Sequence, residues 1–251
     1  MKKTAFITGA TSGIGKATAL LFASKDIRLI ICGRRKEILI KLQKQLEPLT
    51  DVYALNFDVR DKNAVSNAIN SLPEKFSQID ILINNAGNAH GLDPIETGSL
   101  EDWDAMLDIN VKGLLYVSRA ILPKMVVRKS GHIINIGSTA GKEVYPKGNV
   151  YCASKHAVDA INQGMRIDLN TYGIRVGAVN PGLVETEFSK VRFKGDVDRA
   201  VSVYQGFQPL KPEDIAEIIY FVISRPIHVN ITDLVVMPTA QASSTIVKKT
   251  I

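Results

Sequence analysis

A tyrosine and a lysine lie four residues apart in Tyr151-Cys152-Ala153-Ser154-Lys155, thirteen residues after Ser138. On a helix that spacing puts both side chains on one face, close enough to interact. An ammonium within about 4–6 Å of a phenol favours the phenolate and lowers a pKa that starts near ~10. Each unit of such a shift is worth about 1.36 kcal/mol. Brought towards the working pH, the phenol becomes a general acid or base. Such a pair works only where a fold presents it to a substrate.

Short apolar runs alternate with amphipathic segments along the chain, the pattern of a parallel sheet covered by helices. Strands are expected at 4–8, 28–32, 52–55, 79–83, 132–136, 174–179 and 234–237. Helices are expected at 14–25, 36–47, 62–72, 100–127, 150–172 and 212–224. The fold class is therefore α/β: one domain over residues 1–251, a doubly wound seven-stranded parallel sheet with helices on both faces. Residues 185–208 are the least regular part, a long connection of the kind that often forms a mobile lid.

The first strand ends in Thr8-Gly9-Ala10-Thr11-Ser12-Gly13-Ile14-Gly15, immediately before a helix. Glycines there let the backbone turn tightly and approach a pyrophosphate, which meets the N–H groups and positive dipole of the helix start. The strand-turn-helix context supports a dinucleotide site, although Gly-x-x-x-Gly-x-Gly differs slightly from the usual fingerprint. About 20 residues further on, an acid would meet a free ribose 2′-hydroxyl. This chain has Cys32-Gly33-Arg34-Arg35 instead. Two guanidiniums suit a dianionic 2′-phosphate, so NADP(H) is expected. Asp58-Val59 follows the third strand, with a carboxylate that either accepts from the adenine amino group or caps the next helix. In Asn84-Asn85-Ala86-Gly87 small residues would let the cofactor lie against backbone, and an asparagine can tie adjacent strand ends together. Asn110, three residues before Gly113 in a helical pattern, is locally unfavourable. It either holds a water or is a satisfied buried amide.

Composition narrows the classes. Hydrophobic residues make up 45% and charged residues 22%, as in ordinary globular proteins that bury a large core. The net charge is +6, but lysines and arginines are scattered, with no basic run interleaved with aromatics. No nucleic-acid partner is expected; the charge suits an anionic small ligand. Cys32 and Cys152 fit neither a metal spacing nor a disulfide framework, so no metal site is expected and reduced thiols point to the cytoplasm. No apolar stretch approaches the ~20 residues that would span a bilayer, so no membrane partner is expected.

Taken together, TGATSGIG at 8–15, NNAG at 84–87, Asn110, Ser138, YCASK at 151–155 and NPG at 180–182 resemble the short-chain dehydrogenase/reductase family over nearly the whole chain. The resemblance implies a Rossmann fold and a tetrad of Asn110, Ser138, Tyr151 and Lys155. Tyr151 would exchange the proton and Ser138 would hold the substrate oxygen. Lys155 would bind the nicotinamide ribose, and Asn110 would hold a relay water. It also implies a cofactor site of Gly9, Thr11, Ser12, Gly13, Ile14, Gly15, Arg34, Arg35, Asp58, Val59, Asn85, Ala86, Gly87, Tyr151, Lys155, Pro181, Gly182, Val184 and Thr186. The homotetramer common in the family is expected, through the long segments 100–127 and 150–172. GHIINIGSTAG, GLVETEF, VRFKGD, HVNI and MPT further resemble its NADP-dependent 3-hydroxy acid dehydrogenase (serine dehydrogenase-like) branch, though Lys142-Glu143-Val144 departs from it.

That branch implies a small hydroxy acid or carbonyl substrate at Ser138 and Tyr151. Arg192 is then a bidentate clamp for the substrate carboxylate, a contact to a cofactor phosphate, or an exposed loop charge. A carrier-protein ketoreductase and a non-catalytic NADP(H) sensor are the alternatives. The intact tetrad argues against the sensor.

Overall fold

The structure, a computed structural model, describes residues 2–250. Among them, seven parallel strands form one sheet: β1 (Thr4–Ile7), β2 (Arg28–Gly33), β3 (Val52–Asn56), β4 (Ile81–Asn84), β5 (Gly131–Ile136), β6 (Ile174–Pro181) and β7 (Asp233–Val236). Their spatial order is β3-β2-β1-β4-β5-β6-β7. The chain winds outwards from β1 to β3, crosses back to β4, and winds the other way. The order therefore reverses between β1 and β4, which opens a crevice at their carboxyl ends.

Helices cover both faces, which is why the central strands are continuous apolar runs rather than alternating ones. Against one face pack α1 (Gly13–Ser24), α2 (Lys36–Leu46) and α9 (Pro212–Ser224), enclosing Ile7, Ile31, Ile83 and Ile134 with Phe22, Leu42 and Ile219. Against the other pack α3 (Lys62–Asn70), α5 (Gly113–Arg128) and α6 (Asn149–Leu169), enclosing Phe6, Ile30, Leu82 and Ile133 with Val65, Ile121 and Leu169. Neighbouring strand residues go to opposite cores, as the period of two requires.

Two segments differ from the sequence expectation. The single helix expected at 100–127 is α4 (Leu100–Leu107), a π-helical turn (Asp108–Lys112) and then α5. The connection at 185–208 is not irregular throughout: it holds the short helices α7 (Phe188–Arg192) and α8 (Val197–Ser202). Tyr204 fastens this segment down. Its hydroxyl donates to Val184 O at 3.0 Å and lies 2.8 Å from Ser189 Oγ.

Candidate active site

The strand ends flanking the crevice are tied before any ligand is considered. Thr8 Oγ1 accepts from the N–H groups of Asn85 and Ala86 at 2.9 and 2.8 Å, and Asn85 Nδ2 donates to Thr8 O at 2.8 Å. Asn85 thus joins β4 to β1, as expected of it. One residue earlier, Asn84 Nδ2 donates to Asn135 Oδ1 at 2.9 Å and joins β4 to β5. The glycine-rich loop is packed against this seam. Gly9 has φ +64°, and a Cβ there would meet Ala86 Cα at 3.0 Å. A Cβ on Gly15 would stand 2.4 Å from Asn85 Nδ2, so the helix start comes this close only without a side chain.

Above the seam lies a cleft of about 540 Å³. Gly9, Thr11, Ser12, Gly13, Ile14, Arg34, Arg35, Asp58, Val59, Asn85, Ala86 and Gly87 line one end and the floor. Ser138, Tyr151, Lys155, Pro181, Gly182, Val184 and Arg192 line the rest, and Thr186 faces the glycine-rich loop, where a Cβ on Gly13 would meet its Cγ2 at 3.2 Å. Gly15 lies beneath the loop and Asn110 behind the wall rather than on it. Asp58 does not cap α3; Asp61 does, accepting from the N–H groups of Asn63 and Ala64. The Asp58 carboxylate instead receives Arg60 at 2.7 to 3.1 Å.

The π-helical turn explains Asn110. Its amide closes a two-way bond with the Asn88 backbone, accepting from N and donating to O at 2.9 Å each. Nδ2 also donates to Ser154 Oγ at 3.0 Å, and that hydroxyl donates to Tyr151 O at 2.7 Å. Asn110 therefore ties the loop after β4 to the helix carrying the tyrosine. Lys155 Nζ donates to Ile136 O at 2.9 Å. Ser138 begins a 3-10 turn, where its Oγ accepts from Ala140 N at 3.1 Å.

Burial dominates the ionisations. It pushes the Lys155 ammonium down to about 8. Burial likewise raises the Tyr151 phenol far above its ordinary range, helped by the Tyr145 phenol. The hydrogen bond from Ser138 and the charge of Arg192 oppose that rise. Lys155, expected from the sequence to lower the phenol, is not among the groups that shift it. Lys155 directs its ammonium to a backbone carbonyl, and desolvation outweighs what remains. The cation that bears on Tyr151 is Arg192, whose Cζ lies 5.7 Å from the ring centroid. Arg192 is held by Nε donating to Gly91 O and Nη1 donating to Tyr145 Oη, both at 3.0 Å.

Several cleft residues had no signal in the sequence. Phe188 packs edge-on against Tyr151 with centroids 5.6 Å apart. Gln241 Oε1 accepts from Leu183 N at 2.9 Å and braces the NPG turn. Tyr145 was the one within reach, six residues before Tyr151, but nothing in its spacing pairs it with Arg192, 47 residues away.

A comparison with protein families matches residues 3–196 to the short chain dehydrogenase model. The chain belongs to that family. Within the short-chain dehydrogenases it is 46% identical over 237 residues to the NADP-dependent 3-hydroxy acid dehydrogenase YdfG of Escherichia coli (strain K12), covering 94% of this chain and 95% of that one. It is 43% identical over 245 residues to sulfoacetaldehyde reductase 2 of Chromohalobacter salexigens, covering 97% of each. Among solved structures it is similar to the closed form of serine dehydrogenase complexed with NADP+, with TM-score 0.93, 43% identity and 99% of this chain against 100% of that one.

Proposed function

We propose that this short-chain dehydrogenase is an NADP(H)-dependent oxidoreductase that moves a hydride between the nicotinamide and a short 3-hydroxy acid or its carbonyl partner. The observation that carries the reading is one cleft with a glycine cradle and two arginines at one end, and Ser138, Tyr151, Lys155 and Arg192 at the other. The cradle fits the cofactor: side chains at Gly9 or Gly15 would collide with Asn85 and Ala86 and push the loop off the seam, so the tight turn that meets a pyrophosphate needs glycine at both. No acid ends β2 to accept from a free 2′-hydroxyl, and Arg34 and Arg35 stand where a 2′-phosphate would be met.

When bound, the nicotinamide supplies the carbon that gives or takes the hydride. The protein's own residues position the substrate and handle its proton. Tyr151, kept protonated by burial, donates to the carbonyl oxygen during reduction and takes the proton back during oxidation. Ser138 donates a hydrogen bond to the same oxygen and stabilises the charge that develops on it. Lys155 is poised to hold ribose hydroxyls, and Asn110 keeps the loop after β4 against α6. Arg192 clamps the substrate's acid group. Its Nε is engaged by Gly91, but Nη2 remains for a carboxylate, and the Tyr145 hydroxyl, accepting from Nη1, keeps its own proton to donate to a second oxygen. The lid is 185–208, with α7 as the part that closes on the substrate.

Homotetramer assembly in the cytoplasm belongs to the same reading. Exposed Leu115 and Val127 on α5 and Ile167 on α6 support the first, and two buried free thiols support the second. The test is absorbance at the reduced-nicotinamide band with L-serine, 3-hydroxypropionate, 2-hydroxyethanesulfonate and uncharged alcohols. Turnover of the acids with NADP is expected. Turnover of uncharged alcohols alone overturns the substrate reading.

A further inference from the structure

The two arginines after β2 are adjacent in sequence, yet their surroundings differ. Every nitrogen of the Arg35 guanidinium is engaged. Nε donates to Thr11 Oγ1 at 3.4 Å, Nη2 donates to Thr11 O and Oγ1 at 3.3 Å each, and Nη1 donates to Glu187 Oε2 at 2.8 Å. Thr11 belongs to the glycine-rich loop, and Glu187 immediately precedes α7. Arg35 therefore joins the two lips of the cleft across 152 residues of sequence. The Arg34 guanidinium is half exposed, and its one ion-pair contact among the described residues is Asp58 at 3.7 Å.

What Glu187 holds matters for the other end of the site. The next residue, Phe188, lies against the Tyr151 ring, and Arg192, at the end of the same five-residue helix, stands over Tyr145 and Tyr151. A pull on Glu187 is thus transmitted through one turn of helix to the substrate end. A dianionic phosphate is also poorly served by Arg35, because the Glu187 carboxylate already occupies its outer nitrogen and like charges repel. Arg34 has no such competitor on its exposed side.

We propose that the two arginines divide the work: Arg34 reads the cofactor's 2′-phosphate, while Arg35 and Glu187 latch α7 over the bound cofactor. Glu187 is a positioning residue, acting on Tyr151 and the substrate through Phe188 and Arg192. The division rests on the NADP(H) reading above and goes beyond it, because that reading gives both arginines the same task.

The experiment measures affinity and release of NADPH and of NADH, by the fluorescence of the reduced nicotinamide under equilibrium and stopped-flow conditions. Arg34→Ala is expected to weaken NADPH by about 10- to 100-fold, as for loss of a hydrogen bond to a charged group, and to move NADH less than twofold. Glu187→Gln is expected to speed release of both cofactors by the same factor, about two- to fivefold for a half-exposed ion pair, with the NADPH preference kept. The double variant Arg35→Gln/Glu187→Gln should release NADH no faster than Glu187→Gln alone, since a broken latch cannot be broken twice. The division is overturned if Glu187→Gln alters NADPH alone, or if Arg34→Ala leaves the NADPH preference intact. A wild-type protein without preference for NADPH overturns the cofactor reading itself, an outcome recognisable before any variant is made.

Discussion

His132 lies on β5 with both ring nitrogens buried and without a hydrogen-bond partner. Ile81 on β4 and Arg175 on β6 are its register neighbours. Burial, then the positive charges of Arg175 and Lys3, push its pKa down from 6.5 to about 3. The unfolded chain takes up a proton near the ordinary value and the native chain does not, so the unfolded state binds more protons throughout that interval. Stability therefore rises with pH there, and is lost as pH falls through the unfolded value. At pH 5 the loss is about 1.5 pH units at 1.36 kcal/mol each, or about 2 kcal/mol. Carboxylates contribute little in this window. Asp51, lowered chiefly by its hydrogen bond to Lys75, titrates below its ordinary 3.8, and its stabilisation is lost only under stronger acid. His90, also lowered by burial, acts in the same direction as His132, so a variant is needed to separate them. His132→Leu keeps a similar volume and removes the two orphan nitrogens. Urea unfolding of both proteins at pH 7.5, 6 and 5, at one protein concentration, decides the matter. The variant should gain about 1–3 kcal/mol at pH 7.5 from losing unpartnered buried polar groups. Its decline to pH 5 should be shallower than wild type by about 2 kcal/mol. Parallel pH dependences in the two proteins would refute the reasoning.

Tyr151→Phe should lower kcat by about 10²- to 10⁴-fold while leaving NADPH binding, followed by fluorescence, close to wild type. Arg192→Ala should raise KM for hydroxy acids by about 10- to 100-fold and barely change it for uncharged alcohols; equal effects would remove the clamp. A Cβ on Gly137 would fall 1.9 Å from Asn180 Oδ1, and that amide is pinned by Asp233 and Leu234 O. Gly137→Ala should therefore destabilise by about 1–3 kcal/mol and lower the Tm by several degrees in a calorimetric scan.

The seven strands were legible because each is a short apolar run that a helix-covered parallel sheet makes continuous, from Ala5-Phe6-Ile7 to Leu234-Val235-Val236. The Tyr151–Lys155 spacing was legible because helix geometry converts four residues into one face. What escaped the sequence is set by contacts between distant segments. The π-helical turn at 108–112 places Asn110 against the backbone of Asn88, 22 residues earlier, a contact that no local pattern announces. The short helices α7 and α8 are too brief for local propensity to announce them. They are held by Tyr204, and at one end by Arg35 from the far side of the cleft. The net shift of the Tyr151 phenol escaped the sequence for a related reason: spacing reports which groups are near, and burial decides which form they take.

The π-helical turn also sets the rotational phase of everything before it. A turn of five residues holds one more than the surrounding helix, and each residue added to a helix rotates what lies beyond it by about 100°. That offset lets α5 bury Val117 and Ile121 against the sheet while α4 turns Met106 and Trp103 towards Tyr151 and Cys152. Removing a single residue between 108 and 112 would restore an unbroken helix and swing Met106 out of that cluster.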